Sequence, residues 1–101
     1  MAKKDQLVKI QITDILYIEG LKDYVKIFLK NHDKPLLTLM SLKSLEERLS
    51  KSGFIRIHRS YIVAGNAVTA ITKNTLQIDD ITIPVTDQYK QAFSDFFKDW
   101  V

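Results

Sequence analysis

Apolar residues in this chain recur in short alternating runs cut by turn-forming pairs, and that rhythm is its strongest constraint on the fold. Alternation puts successive side chains on opposite faces of a pleated strand, so each run can bury one face against a core. Strands are expected at Leu7–Ile12, Ile15–Glu19, Tyr24–Leu29, Leu36–Met40, Phe54–Ile57, Ser60–Val63, Val68–Thr72, Thr75–Ile78 and Ile81–Val85. Asp14 and Gly20 punctuate the first of these, and Asn31-His32-Asp33-Lys34-Pro35 is a turn by composition. Gly65-Asn66, Lys73-Asn74 and Asp79-Asp80 have the residue types and spacing of hairpin turns.

The period changes twice. Leu42, Leu45 and Leu49 recur at helical spacing, with Lys43, Glu46, Glu47 and Arg48 on the other side. Ser41 is placed to cap this helix through its hydroxyl, and Gly53 can take the left-handed conformation beyond its end. Tyr89, Phe93, Phe96, Phe97 and Trp100 form an aromatic stripe on a second, C-terminal helix. Thr86 is expected to cap it, with Asp87 in a first turn that favours negative charge. The stripe is expected to pack on a sheet; a dimer or partner-docking face is the alternative. The fold class is therefore mainly β and antiparallel, with one internal and one C-terminal helix.

At 101 residues, without repeat, linker or low-complexity tract, the chain reads as a single domain spanning 1–101. Residues 1–5 read as a chain end. The absence of cysteine excludes a disulfide framework, a thiol nucleophile and a thiolate metal site. No apolar run approaches the roughly 18 residues of a membrane span, and the N-terminus lacks the apolar core of a secretion signal. A cytoplasmic protein is expected.

Catalytic constellations are absent from the pattern. Gly20, Gly53 and Gly65 are isolated, so there is no glycine-rich phosphate loop. His32 lies in a polar turn, and His58 has no Asp, Glu or His at ligand spacing. Glu46-Glu47 and Asp79-Asp80 are neighbours that read as solvated charge, not as an acid–base pair. Ser60 lies beside His58 without an acidic orienter. The expectation is a protein that is not an enzyme and needs no cofactor or metal.

Charge points elsewhere. The total is +3, but residues 1–60 carry net +5 and residues 61–101 net −2. A one-sided basic excess suits a polyanion partner; chance asymmetry on a solvated surface is the alternative. The excess meets an unusual segment, Phe54-Ile-Arg-Ile-His-Arg-Ser-Tyr-Ile-Val63. Arg56 and His58 share a parity, Ile55 and Ile57 the other, and Arg59 then falls on the apolar parity. Strict pleating would bury its guanidinium, which is costly without a partner. A bulge or tight turn at His58-Arg59-Ser60 re-aims these side chains outward. Arg forks suit guanine edges or phosphate, and His and Ser can donate to phosphate oxygens. Pairing of Arg56 and Arg59 with acids such as Glu19 or Asp23 is the competing structural reading. A second polar cluster is Lys22-Asp23-Tyr24-Val25-Lys26, where Lys22 and Lys26 suit phosphate and Tyr24 suits phosphate or base contact.

These residues resemble the LytTR family of bacterial DNA-binding domains over nearly the whole chain. The resemblance is carried by Asp14-Ile-Leu-Tyr-Ile-Glu19 with Tyr24-Val25, by the Ser41–Leu49 helix, by Phe54–Val63, and by Ile83-Pro84-Val85 with Tyr89-Lys90. It implies an elongated stack of small antiparallel sheets with short helices. It also implies binding to double-stranded DNA at directly repeated sites, with loops entering major grooves. The implied contact zones are Lys22-Asp23-Tyr24, His58-Arg59 and the junction Thr86-Asp87-Gln88. On this basis Lys22, Lys26, Arg56 and His58 are expected to anchor phosphate, Arg59 and Gln88 to read bases, and Asp23, Tyr24, Ser60 and Lys90 to complete the site. Family members usually serve as output domains of two-component response regulators, so a receiver domain and a homodimer on DNA are implied partners.

Departures from the family pattern bear on these roles. Asp87 stands where an Arg often contacts DNA, and is expected to cap its helix while Gln88 or Lys90 makes the contact. Ala64 replaces a common Asn. The family's first strand is expected to be clipped near Ala2–Leu7, exposing a pairing edge. Two other classes compete: a protein-interaction or ligand-sensing β-module using the aromatic helix, and a small β-barrel stacking single-stranded RNA on exposed aromatics.

Overall fold

The computed structural model describes residues 9–99. Eight strands and two helices follow one another as β1 (Ile15–Gly20), β2 (Val25–Leu29), β3 (Leu36–Thr38), α1 (Leu42–Leu49), β4 (Phe54–His58), β5 (Tyr61–Ala64), β6 (Ala70–Ile71), β7 (Thr75–Ile78), β8 (Ile81–Pro84) and α2 (Lys90–Phe96). The strands form a five-stranded sheet, ordered β3-β2-β1-β5-β4, and a three-stranded sheet, β6-β7-β8. All observed pairings are antiparallel. The molecule is elongated, 43 × 25 × 22 Å.

The five-stranded sheet is the middle layer, and alternation along its strands feeds two cores. Ile18 and Ile62 point to one face and join Leu42, Leu45 and Leu49 of α1. Tyr17, Ile57 and Val63 point to the other and join Leu76, Ile78 and Ile83 of the small sheet with Phe93 and Phe97 of α2. Burying a side chain such as Ile57, which is fully enclosed, stabilises by roughly 1.5–3 kcal/mol. Across β1 and β2, Tyr17 stacks on Phe28 with ring centroids 4.3 Å apart.

Local signals account for the ends of α1. The Ser41 hydroxyl accepts from the Ser44 amide at 3.1 Å. After a single 3-10 turn at Ser50–Ser52, Gly53 takes φ +83°, a left-handed conformation that glycine adopts without steric cost.

Several expectations need correction. In place of a strand over 7–12, residues 9–11 are irregular and Ile12–Asp14 is a 3-10 turn; Leu7 and Val8 lie outside the described residues. Gly65-Asn66 is not a hairpin: Gly65–Ala67 is a 3-10 turn joining strands of different sheets. Gly65 donates to the Gly53 carbonyl at 2.8 Å, and a Cβ there would lie 2.6 Å from the Phe96 ring. The strand expected over 68–72 shrinks to Ala70–Ile71, because Val68 leaves the ladder to enter the core. Neither the Thr86 nor the Asp87 side chain caps the C-terminal helix. Thr86 makes no side-chain cap, and its carbonyl instead accepts from the Tyr89 amide at 2.9 Å.

Candidate nucleic-acid interface

The β4–β5 connection resolves the broken parity of Arg59. The ladder slips between Arg56 and His58, and residues 59–60 form the turn. Arg59 is thereby exposed, and its side chain has no ion pair among the described residues. Two side chains hold this bend. The His58 Nδ1 accepts from the Ser60 amide at 3.0 Å. That bond leaves Nε2 as the N–H donor of the neutral ring. Arg56 donates from Nε to the His58 carbonyl at 3.3 Å and from Nη2 to the Arg59 carbonyl at 2.5 Å. Its Nη1 reaches Glu46 of α1 at 3.1 Å. The acid partner of Arg56 is thus Glu46, not Glu19 or Asp23. Glu19 instead accepts the Tyr61 hydroxyl at 3.2 Å.

The β1–β2 loop lies alongside. Its residues 21–24 are exposed, and the loop closes with the Leu21 amide on the Tyr24 carbonyl at 2.8 Å. The Gly20 amide donates to the Ser60 carbonyl at 2.7 Å, fastening the loop to the bend. Gly20 also has α1 against it, since a Cβ there would lie 2.6 Å from the Leu42 side chain. Between loop, bend and the start of α1 runs an open groove of about 480 Å³. Lys22, Lys43, Arg56, Arg59, Ser41 and Ser60 supply its polar lining, and no carboxylate residue lines it. Clefts lined by one sign of charge concentrate the field and attract counter-charge.

The third zone touches the same strand end. The Thr86 amide donates to the Ile57 carbonyl at 3.1 Å, and the Arg56 guanidinium lies 5.8 Å from the Tyr89 ring centroid. Gln88 is exposed there. Lys90 forms an ion pair with Asp87 at 3.1 Å, a surface contact of the kind worth under about 1 kcal/mol.

The structure therefore gathers Lys22, Arg56, Arg59 and Ser60 around one groove; His58 holds the bend without lining it, and Gln88 is an exposed residue of the junction that meets the end of β4. Asp23 and Tyr24 belong to the loop but do not line the groove. Lys26 stands apart, opposite Glu19 on β1 and Leu37 on β3. Lys43 escaped the sequence reading. A usable signal was present: a cation in the first turn of a helix sits against the positive end of the dipole.

The aromatic stripe is largely consumed by its own fold. Phe93 and Phe97 are buried, Tyr89 faces Arg56, and Phe96 remains 41% exposed; Trp100 lies outside the described residues. Two tyrosines have displaced titrations. Burial, then the Glu19 charge and the Glu19 hydrogen bond, push the Tyr61 phenol up. Burial chiefly, then Glu19, Tyr61 and Asp80, do the same for Tyr17. Among the described residues no cluster of potential metal ligands occurs, and no helix is long and apolar enough to cross a membrane.

A looped, basic end on a layered β domain is a surface suited to a polyanion, and comparison with known proteins gives the family. The LytTr DNA-binding domain model matches residues 5–98, and the chain belongs to that family. It is 32% identical over 92 residues to the sensory transduction protein LytT of Bacillus anthracis, covering 85% of this chain and 37% of that protein. The corresponding Bacillus cereus protein matches equally. A heme-containing, CO-sensing transcriptional regulator of Paraburkholderia xenovorans shares 37% identity over 62 residues, 61% of this chain and 22% of that protein. Among solved structures, the LytTr DNA-binding domain of a methyl-accepting/DNA response regulator from Bacillus cereus superposes with a TM-score of 0.78. Identity is 26%, and the match covers 95% of this chain and 92% of that one. The chain spans about 37% of the length of the LytT relatives it matches.

Proposed function

We propose that this chain is the sequence-reading output domain of a bacterial transcription regulator, binding double-stranded DNA with the end that carries the β1–β2 loop and the β4–β5 bend. The observation that carries this reading is the groove with three cationic side chains, Lys22, Lys43 and Arg59, that have no ion pair among the described residues. Lysines from the loop and from the first turn of α1 seat a backbone phosphate. Arg59, projected from a fixed bend, offers its fork to a guanine edge in the major groove. His58 adds a single donor from Nε2, and Gln88 reads from the adjoining junction.

Two copies on directly repeated sites would place this end in successive major grooves. The intact regulator would add a receiver domain and act in the cytoplasm. The longer LytT relatives, named as sensory transduction proteins, support a role as one part of a signalling chain.

The test is binding of a labelled random-sequence duplex across a salt series. Expected is a linear fall of log K with log salt, steepened by about 0.9 for each phosphate engaged. Lys43→Gln and Lys22→Gln should each lower the slope by about 1 across all sequences. Binding that ignores salt, or no binding to any duplex, would contradict the reading.

A further inference from the structure

We infer that Arg56 is a positioning residue for base recognition and not a phosphate anchor; this rests on the DNA-binding reading above. A guanidinium has five N–H groups in a rigid planar fork. In this protein three of the five are engaged inside the molecule, one from each nitrogen: Nε on the His58 carbonyl, Nη2 on the Arg59 carbonyl and Nη1 on Glu46. Glu46 neutralises the charge, and Tyr89 lies over the guanidinium. The side chain is only 17% exposed. A phosphate arriving at the groove meets Lys22, Lys43 and Arg59, which have no ion pair among the described residues, whereas the Arg56 charge is already paired with Glu46 and each of its nitrogens is held by an internal bond.

What Arg56 does is hold the bend. Its donors reach two successive carbonyls of the bend, the part-buried one of His58 and the exposed one of Arg59. One planar fork serves both carbonyls, and so fixes the orientation of the two peptide units flanking Arg59. Glu46 on α1 and Tyr89 beside the junction fix the fork in turn. Bidentate recognition of a base edge tolerates only about half an ångström of misplacement, whereas a flexible lysine finds a phosphate from many positions. Loss of Arg56 should therefore blur base reading and leave phosphate counting alone.

Three binding measurements on the 101-residue chain decide it: Arg56→Gln, Arg56→Lys and the parent. Arg56→Lys keeps the charge and stem but lacks the fork, and guards against a variant that does not fold. Each is titrated with the duplex the parent selects, and with that duplex changed at the base pair where Arg59→Ala loses its preference. The titrations are repeated over a salt series, with thermal melts alongside. Expected is a loss of roughly tenfold in preference at that base pair for both variants, with the salt slope within half a unit of the parent. A slope lowered by about 1 in Arg56→Gln, restored in Arg56→Lys, with preference intact, makes Arg56 a phosphate anchor and overturns the proposal. A lowered melting temperature with preference and slope both unchanged makes it a packing residue and overturns it equally. A parent that binds duplexes without sequence preference overturns the function on which the proposal rests. A parent that prefers one sequence while both variants keep that preference overturns the positioning role alone.

Discussion

Two turns meet at the basic end of the five-stranded sheet, and they are held in different ways. The bend at residues 59–60 is braced by Arg56 on two carbonyls, by His58 on an amide and by the Gly20 amide on the Ser60 carbonyl. Fully buried Ile57 lies just before it. The loop at residues 21–24 closes through one backbone hydrogen bond and shares the Gly20–Ser60 bond with the bend, and all four of its residues are exposed. The contrast suits a division of labour. A braced bend fixes the backbone from which an arginine projects, which base reading would need. A lightly tethered loop carries a lysine that can follow a backbone phosphate, for which reach matters more than geometry.

The comparison can be broken most forcefully from beneath. Ile57→Ala should cost about 2–5 kcal/mol, because the core around a fully buried isoleucine cannot collapse into the space it leaves. Leu21→Ala, the equivalent truncation in the loop, removes a side chain already 37% exposed and should cost under about 1 kcal/mol. Denaturant unfolding of both variants checks this pair, and equal losses would show that the two turns are equally supported.

Next in size is the effect on DNA. Arg59→Ala should lower affinity for the selected duplex by about 1–3 kcal/mol and relax one base position. Lys22→Ala should weaken all duplexes alike and lower the salt slope by about 1. Anisotropy titrations on matched and scrambled duplexes separate the two. If Lys22→Ala relaxed sequence preference as Arg59→Ala does, the division of labour would fail.

The smallest effect concerns the tyrosine behind the bend. The folded state holds the Tyr61 phenol above its ordinary value, so folding favours the protonated form. The stability this contributes is fully present below the unfolded value of about 10 and is lost as pH rises through the folded value. Parent stability should therefore fall more steeply as pH rises above about 10 than that of Tyr61→Phe. Thermal melts of the pair across that range measure the difference, in which lysine titration common to both cancels.

The strands and the first helix were legible because their signals are local. Alternation marked seven of the strands to within a few residues, and Ser41 and Gly53 bounded the helix region as their chemistry requires. The outward bend at Arg59 could also be read, since an arginine on an apolar parity has few inexpensive alternatives. What the sequence hid depends on packing between distant elements. Glu46 becomes the partner of Arg56 only because α1 lies across the sheet face toward which Arg56 points. Gly65-Asn66 carries a turn signature, and tertiary context turned it into a crossing between sheets. Lys43 joined the groove through the same placement of α1; its place in the first turn of the helix marked it as unusual, but not which surface it would face. The legible part of the candidate site was its residue types, and the hidden part was which of them face inward.

The central claim, that this end of the molecule reads DNA sequence through Arg59, is tested most directly by selecting bound duplexes from a random pool with the parent chain and with Arg59→Ala in parallel. The parent should enrich a short repeated motif, and Arg59→Ala the same motif with one position degenerate. An identical motif from both proteins would contradict the role of Arg59, and a parent that enriches nothing would contradict sequence reading by this domain altogether.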